Sequence, residues 1–75
     1  MWHVIINCSA EGWTKYNQDF RAIADRYPDL KLSTKKMKDD ERRIMEGNFD
    51  DVDDAETFVE ACMTLEGFSA TFEAS

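Results

Sequence analysis

Cys8 is the side chain that the sequence most clearly marks as a candidate for reactivity, because its thiol closely precedes a stretch with a helical pattern. A soft-metal Cys-x-x-Cys site would need a second thiolate at position 11, where the chain has Glu11. A phosphatase loop of the Cys-x5-Arg kind would need an arginine at position 14, where the chain has Thr14. The one histidine, His3, lies five residues before Cys8, so the two side chains point to opposite faces of an extended strand. They cannot form a nucleophile–base pair, and we expect no catalytic residue and no cofactor.

The two cysteines, Cys8 and Cys62, are expected to be free thiols in a reducing compartment, since the chain shows no secretory signal. The helix start that follows Cys8 could lower the pKa of its thiol. Free cysteine is also among the most often buried residue types, and burial is the simpler interpretation. No stretch approaches the roughly 20 apolar residues of a membrane span. These features predict a cytoplasmic protein without membrane contact.

An acidic run at residues 50–54 invites interpretation as a calcium site. A calcium loop of the EF-hand kind needs ligands at alternate positions, a central glycine and a glutamate at position twelve. This run contains no glycine, and its twelfth position is Ala61. Asp53 followed by Glu56 instead fits the start of a helix, where the helix dipole favours carboxylates. We therefore expect helix capping and an acidic surface here, and no metal site.

The net charge of −7 is concentrated in the last third of the chain. Residues 50–75 contain eight acids and no base, whereas acids and bases nearly cancel over residues 1–49. Such a distribution repels nucleic acid and anionic membranes and attracts a basic protein partner. The predicted partner-binding surface consists of acids from this third, namely Asp50, Asp51, Asp53, Asp54, Glu56, Glu60 and Glu66.

Trp2–Ser9 is the most strand-like run and the predicted centre of the fold. Its core-facing positions alternate along the run and are Trp2, Val4, Ile6 and Cys8. Ile5 makes the other face partly apolar too, which is typical of a strand inside a sheet. Ser9 can cap the helix that follows. Apolar residues three and four apart predict this helix from Ala10 to about Tyr27, where Pro28 ends it.

The remaining elements are a hairpin, a second helix and a last strand. Leu30 to about Met37 alternates apolar and polar residues, as in a half-exposed edge strand. Residues 38–41 form a polar turn, and Arg42–Phe49 is the return strand, although its first residues could also begin a helix. The second helix is capped by Asp53 and ended by Gly67 in the left-handed conformation. The apolar face of the last strand consists of Phe68, Ala70 and Phe72.

The order strand, helix, strand, strand, helix, strand predicts an α+β fold with a single domain over residues 1–75. Both helices would cover one face of a four-stranded antiparallel sheet. Right-handed crossovers give the strand order 4-1-3-2, an arrangement that resembles the ferredoxin-like βαββαβ two-layer sandwich. The resemblance concerns the fold alone, which hosts many unrelated functions, and it implies no particular activity.

The sheet face without helices is a second candidate surface, for an oligomer or partner interface. Its selected positions are His3, Ile5, Ile44 and Glu46. Ile5 and Ile44 would lie on neighbouring strands and give a small apolar centre within polar surroundings. RNA-binding domains of this topology use exposed aromatic rings on the two central strands. Since this face has none, we expect no direct contact with nucleic acid.

Two functions from different classes follow from these patterns. The first is a small acidic non-enzymatic module that binds a protein, as an inhibitor or adaptor. It could act on a nucleic-acid-binding protein by presenting its acidic helix surface as a mimic of phosphates. The alternative is a homo-oligomeric ferredoxin-like domain, for example a homodimer, that binds a small ligand through the open sheet face.

Overall fold

A computed structural model describes residues 1–36 and 42–74 of the chain. The order of elements is the predicted one, with the bounds β1 Trp2–Cys8, α1 Ala10–Ala24, β2 Ser33–Lys36, β3 Arg43–Phe49, α2 Val52–Met63 and β4 Phe68–Ala74. The predicted turn at residues 38–41 and the predicted strand end at Met37 lie outside the described residues. Within them, no helix combines the length and the apolar character that crossing a bilayer requires.

The four strands form one antiparallel sheet in the order β2-β3-β1-β4, which confirms the predicted ferredoxin-like arrangement. β1 is a central strand that pairs along its whole length with both neighbours. In this register Ile6 lies opposite Met45 on one side and Ala70 on the other. Three buried apolar side chains therefore lie in a row across the sheet. Arg43–Phe49 is a strand, and the helix that its first residues also allowed does not form.

The core lies between the sheet and the two helices. The buried side chains of β1 follow the predicted alternation and are Val4, Ile6 and Cys8. Phe58 of α2 is fully buried at the centre of an aromatic cluster. Its ring centroid lies 5.4 Å from that of Phe49, 5.6 Å from that of Tyr27 and 6.2 Å from that of Phe20. These tilted and edge-to-face contacts join α1, α2 and β3 into one core.

α1 begins as predicted but ends earlier. The Ser9 hydroxyl accepts a hydrogen bond from the Gly12 amide (3.0 Å), which confirms Ser9 as the N-cap. The regular helix ends at Ala24, and the Tyr27 amide donates to the Ala24 carbonyl (3.0 Å) in a tighter turn. The chain has therefore left the α-helical path before it reaches Pro28.

β2 is shorter than the predicted strand, since pairing with β3 begins only at Ser33. The Leu30 amide donates to a carbonyl in the turn that follows α1 (3.0 Å). The start of the predicted strand is therefore bonded to this turn and not to the sheet. Leu30 and Leu32 nevertheless pack toward the core over Gly47, where a Cβ would lie 2.8 Å and 2.9 Å from their terminal carbons. The apolar pattern predicted the side on which these leucines lie, but not their backbone pairing.

The predicted N-cap of α2, Asp53, is wrong, because the helix begins at Val52 with Asp51 as its N-cap. A carboxylate oxygen of Asp51 accepts a hydrogen bond from the Asp53 amide (2.8 Å), and its carbonyl accepts one from the Ala55 amide (3.2 Å). Ala55, which lies inside the helix with either cap, is fully buried. Asp53 lies in the first turn instead, where the helix dipole favours its charge.

The turn between α2 and β4 passes close to the start of α1. Gly67 has a φ of 87°, in the left-handed region as predicted, although α2 itself already ends at Met63. The Gly67 carbonyl accepts a hydrogen bond from the Ser9 amide (3.0 Å). A Cβ on Gly12 would lie 2.9 Å from the carbonyl oxygen of Glu66. A glycine at position 12 therefore allows the first turn of α1 to contact this loop.

Candidate partner-binding surfaces

The seven acids of the predicted partner-binding surface do not form one continuous patch. Three of them line a groove beside the start of α2, three lie exposed on α2, and Glu66 lies beyond the far end of that helix. α2 has 12 residues. A helix of that size is about 18 Å long, more than the Debye length of about 8 Å at physiological salt. The groove and Glu66 are therefore electrostatically separate.

A groove of about 540 Å³ lies where the end of α1, the end of β3 and the start of α2 meet. The charged residues that line it are Asp29, Asp50, Asp51, Asp54, Arg26 and Lys31. The two bases partly compensate the four acids, and Asp51 also caps α2. Among the described residues, no three His, Cys, Asp or Glu side chains are grouped so that they could hold a metal ion. The groove is therefore less suited to a basic partner than its acidic run suggests.

Glu56 and Glu60 are the uncompensated part of the acidic surface. Both are exposed, and a spacing of four residues places them on the same side of α2. In the ranges 1–36 and 42–74, neither has a basic side chain as an ion-pair partner. Glu60 lies in the last turn of α2, which contains no base, and the negative end of the helix dipole disfavours a carboxylate there. The requirements of α2 itself therefore do not explain this acid pair.

Glu66 lies in a different environment. It lines a recess of about 120 Å³ between the start of α1 and the loop before β4. Lys15 and Glu11 line the same recess, so Glu66 is close to a positive charge of α1. Glu66 is thus separated from the exposed acids of α2 both in position and in its surroundings.

The two isoleucines of the open sheet face lie on adjacent strands. Ile5 lies directly opposite Glu46, and Ile44 lies opposite Asn7, so the isoleucines are diagonal neighbours. Both are half-buried although neither α1 nor α2 covers this face. Because the direct partner of each isoleucine is polar, the apolar centre of the face is small.

His3 and Glu46 give this face its polar border. The Nδ1–H of His3 donates a hydrogen bond to the side-chain oxygen of Asn48 (3.2 Å), which lies directly opposite on β3. The other ring nitrogen of His3 lies 3.9 Å from a carboxylate oxygen of Glu46. His3, Asn48 and Glu46 thus form a polar cluster between β1 and β3, at the end of β1 away from Cys8.

Both cysteines are free and buried, as predicted. Burial raises the pKa of the Cys8 thiol, and the positive charge of Arg43 opposes this shift without reversing it. Burial raises the pKa of Cys62 to about 12. The lowered pKa that the helix start allowed for Cys8 is therefore wrong, because desolvation of the thiolate is the larger effect. The Cys8 thiol donates to the Ser9 carbonyl (3.4 Å), and both thiols are protonated at neutral pH.

Trp13 takes part in a cluster that the sequence did not predict. The guanidinium carbon of Arg43 lies 4.7 Å from the centre of the Trp13 ring, and that of Arg21 lies 6.0 Å from it. These residues border a groove of about 420 Å³ between α1 and the β2–β3 side of the sheet, with Leu32 and Met45 in its lining. No local signal predicts this cluster, because only the packing of α1 on β3 brings Trp13 and Arg43 together.

No protein-family model matches the chain, and a search of curated proteins found no match. Among solved structures, the chain is similar to a formyltetrahydrofolate deformylase from Pseudomonas putida, with 12% sequence identity and a TM-score of 0.48. The similarity covers 99% of this chain and 28% of that enzyme, so the chain spans little more than a quarter of its length. The fold described above rests on the strand pairing of the chain itself.

Proposed function

We propose that the chain is a small acidic non-enzymatic module that binds a basic protein surface, as an inhibitor or adaptor. The observation that carries this proposal is the position of Glu60, in the last turn of α2 and four residues after Glu56. A helix selected for stability alone would have a base in its last turn and no like charge four residues away. Proteins break such local rules mainly at functional sites. A partner therefore explains the acid pair better than the fold does.

The proposed partner has a basic groove, and nucleic-acid-binding proteins are the class that fits best. Their grooves present lysine and arginine to the phosphates of the nucleic acid. Exposed carboxylates along one helix can occupy such a groove as mimics of phosphates. Of the predicted surface, Glu56 and Glu60 are the acids that would contact the partner, with Asp53 beside them in the first turn. The other acids act at longer range by attracting the partner.

Affinity capture with charge-reversed variants tests this proposal. The double variant Glu56→Lys/Glu60→Lys is compared with Glu11→Lys/Asp19→Lys, which makes the same charge change at exposed positions of α1. We expect basic proteins to be retained at about 0.05 M salt and released at about 0.5 M salt. They should be lost with the first variant and kept with the control. Unchanged retention by Glu56→Lys/Glu60→Lys would exclude this surface.

A competition experiment distinguishes a mimic of phosphates from other acidic binders. If the captured protein binds DNA or RNA, a non-specific oligonucleotide should displace it from the chain, and the chain should displace the oligonucleotide. Simultaneous binding of both would show that the acidic surface does not occupy the nucleic-acid groove.

The second candidate is a homo-oligomeric domain that binds a small ligand at an interface formed by the open sheet face. Its support is the diagonal contact position of Ile5 and Ile44 on a face that no described helix covers. Replacement of Ile5 by Glu should then reduce the molar mass in solution to that of a monomer, because a charge would be buried at the interface. Sedimentation tests this, and a monomer for the unaltered chain at high concentration would exclude it.

A further inference from the structure

We propose that the free edge of β4 and the adjoining side of α2 form a docking site for an extended basic segment of a protein partner. The segment would add to the sheet as a further strand beside β4. This inference rests on the proposed function and specifies the shape and chemistry of the partner's segment. β4 is an edge strand of seven residues. Edge strands of this length are templates for the addition of an extended peptide.

The backbone of β4 presents unpaired groups along this edge. In an antiparallel pair, residues that bond to the neighbouring strand alternate with residues that point away from it. The hydrogen bond from the Ser9 amide to the Gly67 carbonyl (3.0 Å) sets this alternation between β1 and β4. It directs the amide and carbonyl groups of Ala70 and Phe72 away from β1. No partner for these groups occurs within the described ranges.

One side of α2 faces this edge and is partly apolar. α1 lies on the side of α2 that carries Asp54 and Phe58, because Tyr27 contacts the Phe58 ring (5.6 Å) and lines a groove with Asp54. The helical period places Val52 and Met63 on the opposite side. That side faces the free edge, since α2 packs mainly on β4 and β1. Val52 is 36% exposed and Met63 is 57% exposed.

Charge determines which occupant fits this site. α2 contains four acids and no base, and β4 contains Glu73 and no base. Glu56 lies on the same side of α2 as Val52 and Met63, by the helical period. A second copy that paired along the same edge would bring two acidic α2 helices together, and their like charges would repel. A segment that alternates apolar and basic residues fits better, with its apolar side chains on Val52 and Met63 and its basic ones beside Glu73.

The test uses the full chain and a fluorescein-labelled peptide in which valine and lysine alternate. The peptide has seven residues, the length of β4. A second peptide has the same sequence but carries N-methyl groups on the alternate amides that would bond to β4. The unmethylated peptide should bind, and the methylated one should bind more than about tenfold more weakly because main-chain hydrogen bonds supply much of the affinity in this mode. Hydrogen exchange of the Ala70 and Phe72 amides should slow when the unmethylated peptide binds.

Each result separates this inference from the proposed function. Equal binding of the two peptides would overturn strand addition, and charge attraction by the acidic surface would then explain the binding. Failure of both peptides to bind at low salt would overturn the docking site at the β4 edge, whereas the proposed function would still stand or fall with the affinity capture. Glu73→Lys should weaken the unmethylated peptide several-fold, whereas Glu11→Lys, the same change at an exposed position of α1, should have little effect. A molar mass that rises with concentration and is lowered by the unmethylated peptide would show that a second copy occupies the edge, and would overturn the assignment to a basic partner.

Discussion

At the scale of single residues, burial determines what the cysteines can do. Cys8 and Cys62 are fully buried, and burial raises the pKa of both thiols. A thiolate is the reactive form of cysteine, so neither residue is poised as a nucleophile at neutral pH. The same burial makes the stability of the fold depend on pH in the alkaline range.

Replacement of Cys62 by Ala should remove part of this alkaline dependence. The thiol has a pKa of 9.0 when it is exposed in the unfolded chain and about 12 in the folded chain. The folded state therefore holds the proton more tightly, and the stabilisation is fully present below pH 9 and lost as the pH rises toward 12. Between pH 8 and pH 10, the free energy of unfolding should fall by about 1–1.5 kcal/mol more in the unaltered chain than in Cys62→Ala.

Denaturant unfolding at the two pH values, with a reductant present, measures this difference. The comparison within each protein cancels the constant cost of the cavity that alanine leaves in the core. All other side chains are common to both proteins, so their contributions cancel between them. An equal decrease in both proteins would contradict the raised pKa of Cys62.

Replacement of Gly12 by Ala should destabilise the fold, against the trend for helices. Alanine in place of a glycine inside a helix normally stabilises it by about 1 kcal/mol. Here the added Cβ would lie 2.9 Å from the Glu66 carbonyl oxygen and 3.1 Å from the Gly67 Cα, both of which are backbone atoms. We expect the overpacking to lower the free energy of unfolding by about 1–3 kcal/mol. Denaturant unfolding gives the sign, and a gain in stability would show that α1 and the loop before β4 are not in close contact.

At the scale of elements, the alternation along β1, β3 and β4 was enough to predict the sheet. A strand has a period of two, so the positions of Val4, Ile6 and Met45 specify the face of the sheet that is buried. The errors occurred at the ends of elements, and two of them lie where backbone hydrogen bonds compete. The Leu30 amide bonds back into the turn after α1, and Asp51 caps α2 in place of Asp53. Several acceptors are available in each of these segments, and the sequence pattern does not rank them.

The candidate site was predicted in composition but not in arrangement. The acidic run of the last third was visible as charge, and the exposure of Glu56 and Glu60 followed from the helical period. The partial compensation of Asp50 and Asp54 by Arg26 and Lys31 was not visible, because these bases come from the end of α1 and the segment before β2. Contacts between elements that are distant in sequence require the packed structure.

The prediction at this scale concerns α2. Replacement of Glu60 by Lys should stabilise the helix and weaken partner binding. The substitution replaces a like-charge pair with Glu56 by an opposite-charge pair, and it places a base in the last turn. Together these effects should raise the free energy of unfolding by about 0.5–1 kcal/mol at low salt. Partner capture should decrease at the same time, because Glu60 belongs to the proposed contact surface.

Thermal unfolding and affinity capture on the same protein preparation measure the two effects. Glu60→Gln is the matched variant, since it removes the repulsion without adding a base. It should give an intermediate gain in stability. A loss of stability in Glu60→Lys would indicate that Glu60 has a structural partner, and unchanged capture would separate Glu60 from the binding surface.

At the scale of the whole molecule, the charges are distributed unevenly over a fold whose core is closed by both helices. The acids of α2 and β4 lie on the half of the molecule that contains β1 and β4. On the other half, Arg21, Arg43 and one acid, Asp25, border the groove beside Trp13. The molecule therefore has a strongly acidic side and a side with basic and aromatic groups. An uneven field of this kind orients an approaching partner before contact.

Salt should consequently have opposite effects on folding and on binding. Repulsion among the acids of residues 50–75 opposes the compact state, and added NaCl screens it, so the midpoint of thermal unfolding should rise by a few degrees between about 0.02 M and about 0.5 M. Partner binding should weaken over the same range. The rise should be smaller in Glu56→Lys/Glu60→Lys than in Glu11→Lys/Asp19→Lys, because the Debye length of about 10 Å at 0.1 M confines the repulsion to neighbouring acids. Equal rises of the unfolding midpoint in the two variants would instead assign the repulsion to net charge alone. An unchanged midpoint in the unaltered chain would contradict repulsion within its acidic side.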